Sequence, residues 1–225
     1  MPGIYADRAD AGQALAKALS RLRAAPDTIV LGLPRGGVPV AYEVAAALEL
    51  PLDVLVVRKL GLPQQPELAM GAIASGGALV VNDDVVRYLG GRDEAFEAVR
   101  AREQVELERR ERGFRGSRSP LGMAGRTAIV VDDGLATGAT MEAAVRALQS
   151  LGARRVIAAV PVASVEARAR IEAVADEVVC LATPEFFSAV GQWYADFGQT
   201  EDDEVRDLLA RASLAAHSSR PLDRR

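Results

Sequence analysis

Two adjacent carboxylates, Asp132 and Asp133, follow a short apolar run and precede a loop of small residues, Gly134-Leu135-Ala136-Thr137-Gly138-Ala139-Thr140. Gly134 and Gly138 permit backbone angles and close approaches that a side chain would block. The free N–H groups of such a loop, and of a helix starting beside it, converge on one spot that suits a phosphate. Thr137 and Thr140 add hydroxyl donors. The two carboxylates would repel that phosphate. Their natural partners are sugar hydroxyls, or a divalent cation that takes oxygen ligands. A phosphate cradle beside a diol-binding acidic pair describes a site for ribose 5-phosphate.

The elements that must hold this loop are legible on either side of it. Ala128, Ile129, Val130 and Val131 read as a strand buried in a parallel sheet. Met141, Ala144, Val145, Leu148 and Leu151 recur on one face of a helix. The loop therefore lies at the carboxyl edge of a sheet, where α/β proteins bind ligands. Two nucleotide-binding patterns are absent from the sequence: no Gly-x-x-x-x-Gly-Lys-Ser/Thr occurs, and no Gly-x-Gly-x-x-Gly follows a strand.

The run IVVDDGLATGAT, residues 129–140, resembles the signature of the type I phosphoribosyltransferases, an apolar strand followed by D-D-G-x-x-T-G-x-T. The resemblance implies that Asp132 and Asp133 hold the ribose 2- and 3-hydroxyls of phosphoribosyl pyrophosphate (PRPP). It implies that Ala136, Thr137, Gly138, Ala139 and Thr140 hold its 5-phosphate. It also implies Mg2+ as cofactor, with Asp132 and Asp133 as candidate contacts, and transfer of the phosphoribosyl group to a nitrogenous acceptor with release of pyrophosphate. In 6-oxopurine enzymes of the family the phosphate loop begins with Asp; here that position is Ala136, as in the Ala-Thr-Gly of adenine enzymes.

A second strand–glycine loop–helix unit precedes the first: Thr28 to Leu33, then Pro34-Arg35-Gly36-Gly37, then a helix from about Val38 to Leu48. The anion argument applies again, and Arg35 adds a cation. A glycine turn with a surface arginine is the plainer alternative. The resemblance assigns Pro34, Arg35, Gly36 and Gly37 to pyrophosphate, with Arg35 at the reaction centre beside the acidic pair. Xanthine–guanine enzymes carry the same Arg-Gly-Gly, and one peptide of this loop is often cis in the family. Asp53 to Val57 reads as the next buried strand, with Arg58 and Lys59 at its exit, either neutralising pyrophosphate or simply solvated. Leu60 to Gly77 is rich in Gly, Pro and Gln and holds one acid, Glu67, a base, a metal contact or a solvated charge. The resemblance implies a flexible loop here, within 60–82, closing over the ribose to exclude water. Ala69 to Ala74 and Ala78 to Asn82 read as hairpin arms around Ser75-Gly76-Gly77.

The rest of the chain supplies scaffolding. Asp7 to Ala25, Asp83 to Leu89, the charge-dense Asp93 to Arg112, Ser164 to Val174 and Glu201 to Ala212 read as helices. Arg115 and Arg118 fall in a linker and either solvate it or reach a neighbour's site. Arg155 to Val160, stopped by Pro161, and Glu177 to Leu181 read as strands, with Cys180 in the core. Alternating strands and helices give an α/β, doubly wound parallel sheet. Half of the chain's aromatics cluster in 183–200, including Phe187, Trp193 and Tyr194. Their rings stack on a planar acceptor, or plug a core or dimer contact. The resemblance places a hood over the acceptor here, and makes Asp196 a candidate metal contact at a spacing one residue from that of hypoxanthine–guanine enzymes.

One domain over 1–212 is expected, with its core at 28–181 and a disordered tail at 213–225 that holds the single histidine, His217. The formal net charge of −4 argues against a nucleic-acid surface. One cysteine excludes an internal disulfide, and neither a signal peptide nor a membrane-spanning run is evident. A cytoplasmic protein is expected, and the resemblance suggests a homodimer. The alternative classes are a PRPP-binding regulator without catalysis and an unrelated Rossmann-like nucleotide binder.

Overall fold

A computed structural model describes residues 5–62, 65, 69–88, 94–116, 118 and 122–218. The chain runs α1 (Arg8–Ala18), β1 (Thr28–Gly32), α2 (Gly37–Leu48), β2 (Leu52–Val54), β3 (Val57–Gly61), β4 (Ala69–Ala74) and β5 (Ala78–Val81). It continues through α3 (Asp83–Tyr88), α4 (Glu94–Arg115), β6 (Thr127–Val131), α5 (Ala139–Ser150), β7 (Arg155–Val162), α6 (Val165–Glu172), β8 (Glu177–Ala182) and α7 (Asp202–Ser218).

Five strands form a parallel sheet in the order β2-β1-β6-β7-β8. Successive side chains of a strand point to opposite faces, so the sheet feeds two cores. Val30, Val54, Ile129, Val131 and Ile157 pack with α1, α2, α4 and α7. Ile29, Leu31, Val130 and Val156 pack with α5 and α6 on the other face. From β1 the chain passes through α2 to β2 on one side; from β6 it passes through α5 to β7 on the other. The loops after β1 and β6 therefore diverge at a topological switch point, and a crevice opens between them. Thr28 pairs with Thr127 and Gly32 with Val131, so both loops leave the sheet level with each other.

A second, antiparallel sheet, β3-β4-β5, packs against α4 and α5. It corrects the expected strand Asp53–Val57. The parallel strand ends at Val54, and Arg58 and Lys59 lie inside β3 rather than at an exit of the main sheet. The apolar run hides the bend because Leu55 and Val56 are buried in the junction, where the Val56 amide donates to Ser75 Oγ at 3.1 Å.

Three further boundaries move. β7 continues through Pro161, whose position the ladder skips: Val160 faces Cys180 and Val162 faces Ala182 on edge strand β8. α4 extends to Arg115, which is buried and donates to both Asp53 carboxylate oxygens at 3.1 and 3.0 Å. Arg118 Nη2 donates to the Leu209 carbonyl, so both arginines turn into their own chain. The expected tail at 213–225 is helical as far as Ser218, where Leu214 and Ala215 continue α7. Cys180 is half-buried, with Sγ 3.1 Å from the Ala182 carbonyl.

Candidate active site

The loops after β1 and β6 are in contact. The Leu33 amide donates to the Val131 carbonyl at 2.9 Å, and the Pro34–Arg35 peptide is cis. Gly36 and Gly37 follow because neither has room for a side chain. A Cβ on Gly36 would lie 2.1 Å from Asp133 Oδ2, and one on Gly37 would lie 2.6 Å from the Val131 carbonyl oxygen. Gly36→Ala is thus expected to push Asp133 off its position. If the crevice binds PRPP, as proposed below, calorimetry should find it bound at least about tenfold more weakly, and melting should show about 1–3 kcal/mol lost to overpacking. Unchanged affinity would contradict this contact.

Asp132 and Asp133 are half-buried at the crevice, and Asp132 Oδ1 accepts from the Asp133 amide at 2.9 Å. Burial, reinforced by the charge of Asp133, holds Asp132 well above its ordinary value of 3.8. Burial also raises Asp133, with the Arg8 guanidinium pulling the other way. An acid raised in this way holds its proton more tightly in the folded state. Its stabilising contribution is complete below the unfolded value of 3.8 and is lost as pH climbs to the raised folded value. Asp132→Asn should therefore raise the melting temperature at neutral pH and flatten its decline as pH rises above 3.8. A variant whose melting follows the wild-type pH dependence would contradict this.

Gly138, at φ +73°, forms the N-cap of α5 and offers no side chain to cap it. The first turn thus presents unsatisfied N–H groups and the positive end of the helix dipole. Ala136, Thr137 and Thr140 are exposed around it, and Thr137 Oγ1 is 3.4 Å from the Ala139 amide. Ser164 Oγ donates to the Ala136 carbonyl at 2.9 Å and braces the loop from the start of α6. Across the crevice, Arg35 Nη1 lies 3.6 Å from Glu201 and 3.5 Å from Asp202 at the start of α7. The remaining site residues separate. Arg58 is committed to Glu103, Nε to Oε2 at 2.9 Å. Lys59 is exposed and lines a cavity of about 810 Å3 that reaches Ala139. Glu67 lies outside the described residues.

A model of the phosphoribosyl transferase domain matches residues 4–197. The chain belongs to that family. Two Mycobacterium tuberculosis proteins, from strains CDC 1551 and H37Rv and provisionally named phosphoribosyl transferases, are 53% identical over 209 residues. The match covers 93% of this chain, and the chain spans 47% of the length of either relative. The crystal structure of TT1426 from Thermus thermophilus is 46% identical, with a TM-score of 0.84 over 92% of this chain and 98% of that one.

In this phosphoribosyl transferase domain, the residues expected to form a hood lie in three different settings. Tyr194 is buried and donates its hydroxyl to the Asp133 carbonyl, so it supports the acidic loop instead of facing an acceptor. Burial pushes that hydroxyl upward, which keeps it a donor. Phe187 and Trp193 stack with centroids 6.4 Å apart and remain half-exposed. Asp196 is taken up in a local turn, accepting from the Gly198 amide at 3.0 Å. It forms no metal-ligating cluster with Asp132 and Asp133, and no group of three such ligands occurs among the described residues. No helix among them is long and apolar enough to cross a membrane.

Sequence reasoning missed Arg8. Its Nε lies 2.9 Å from Asp133 Oδ2, across 125 positions of sequence. One local signal was present: Arg8 is the first residue of α1, capped by Asp7, where the helix dipole disfavours a cation.

Proposed function

We propose that the chain transfers the 5-phosphoribosyl group of PRPP to a nitrogen of a small planar acceptor, a nucleobase being the best fit, and releases pyrophosphate in a Mg2+-dependent reaction. The observation that carries this reading is the junction of β1 and β6. There an acidic pair stands between an uncapped helix N-terminus and a loop holding Arg35 and two glycines with no space for a Cβ. Breaking the bond from ribose C1 to pyrophosphate builds positive charge on the ring and negative charge on the leaving group. Asp132 and Asp133 fix the diol and favour the cationic ring. Ala136 to Thr140 hold the 5-phosphate, and Pro34 to Gly37 receive pyrophosphate. Catalysis is then mostly positioning and electrostatics.

Two carboxylates suit a hard cation that keeps several waters and completes its shell with substrate phosphates. Asp132 and Asp133 would hold Mg2+ together with PRPP oxygens, and the ion would supply charge neutralisation at the diphosphate. The Phe187–Trp193 pair offers its rings to the acceptor, and Ala136 argues against a 6-oxopurine. This reading includes a homodimer in the cytoplasm, with no nucleic-acid or membrane partner.

The test is pyrophosphate release from PRPP and Mg2+ across purines, pyrimidines and small amides. Release that depends on one acceptor supports the transferase and names its substrate. PRPP binding without release from any acceptor would point to a sensor in its place.

A further inference from the structure

The amino-terminal segment, the acidic pair and the hood meet at one side chain. Arg8 Nε and Nη2 each lie 2.9 Å from Asp133 Oδ2. Nη1 donates to the Gly198 carbonyl at 2.7 Å, and the guanidinium carbon sits 3.9 Å from the centre of the Phe197 ring. A planar guanidinium can serve a carboxylate, a carbonyl and an aromatic face together, which an ammonium cannot. Backbone bonds bring the same pieces into register. The Tyr5 amide donates to the Trp193 carbonyl at 3.1 Å, and the Ala195 and Asp196 amides donate to the Tyr5 and Ala6 carbonyls, each at 2.9 Å. These bonds hold 193–196 to the amino-terminal segment, whereas 197–198 reach the acidic pair through Arg8.

We propose that Arg8 is a positioning residue that couples occupation of the acidic pair to the placement of the hood. The proposal rests on the ribose assignment made above. A diol hydroxyl donating to Asp133 weakens the pull of that carboxylate on the guanidinium. Arg8 then leans further on its other two partners, Gly198 and Phe197, both in the hood. Coupling between two sites is reciprocal, so a hood settled on an acceptor strengthens the hold on the donor. A guanidinium placed at a helix N-terminus, against the dipole, is accounted for by this shared duty.

Trp193 is the only tryptophan of the chain and lies in the hood, so its emission reports directly. PRPP with Mg2+ is titrated into wild type, Arg8→Met and Arg8→Lys, following Trp193 emission with calorimetry in parallel. In wild type the emission should change in step with the binding heat. Arg8→Met should still bind PRPP, about tenfold more weakly, but without the emission change. Arg8→Lys keeps a charge near Asp133 yet cannot also serve Gly198 and Phe197, so it should bind more tightly than Arg8→Met and still lose the change. Should Arg8→Met fail to fold, Arg8→Lys and hydrogen exchange of 193–198 in wild type carry the comparison, with altered protection expected on adding PRPP. Binding heat without an emission change in wild type, or equal changes in all three proteins, would overturn the coupling and leave the donor assignment standing. No binding heat in wild type would overturn the donor assignment, and this proposal with it.

Discussion

Changing Asp132 and Asp133 together to asparagine should abolish measurable PRPP binding. Each carboxylate is assigned charge-assisted hydrogen bonds to the ribose diol, worth about 1.5–3 kcal/mol apiece. Loss of both amounts to about 3–6 kcal/mol, or roughly two to four orders of magnitude in affinity. Relief of the buried Asp132 charge offsets part of the stability lost with the Asp133–Arg8 ion pair, and a melting curve on the same protein separates lost binding from lost fold. Retained PRPP binding by calorimetry would refute the ribose assignment.

Arg35→Ala should lower turnover by about 10²–10³-fold, the effect of removing one donor aimed at developing charge. The melting temperature should hardly move. Arg35 meets Glu201 and Asp202 at 3.6 and 3.5 Å; both acids are exposed and Arg35 is half-exposed, so these pairs contribute little to stability. The two acids lie at the start of α7, where the helix dipole would continue to favour them if the arginine turned to a diphosphate, as proposed. Steady-state kinetics and melting curves on one preparation separate the effects. Unchanged turnover would remove Arg35 from the reaction, and a large drop in melting temperature would make it structural.

The parts of this molecule that could be read from sequence are those whose signal is local. The strands Thr28–Gly32 and Thr127–Val131 are fully buried and read as apolar runs, each ending at a glycine-bearing loop and a helix. That repetition was enough for the doubly wound sheet. The β2–β3 junction was hidden because its residues are apolar on both sides of the bend. The commitments of charged side chains were equally opaque. Arg58 reads as a free cation but reaches Glu103, 45 positions away, and Arg115 reaches Asp53, 62 positions away. Tyr194 reads as a stacking ring, yet its hydroxyl is engaged by a carbonyl 61 positions earlier. Arg8 depends on a separation of 125 positions. Partners at such distances follow from topology and leave no periodicity in the chain.

The most direct test of the central claim is a calorimetric titration of PRPP with Mg2+, compared with ribose 5-phosphate and pyrophosphate as separate ligands. Wild type should bind PRPP saturably at one site per chain. The Asp132→Asn, Asp133→Asn protein should lose PRPP and ribose 5-phosphate while keeping pyrophosphate, which depends on the other loop. An absence of heat with wild type, or PRPP binding that survives the double substitution, would contradict the account.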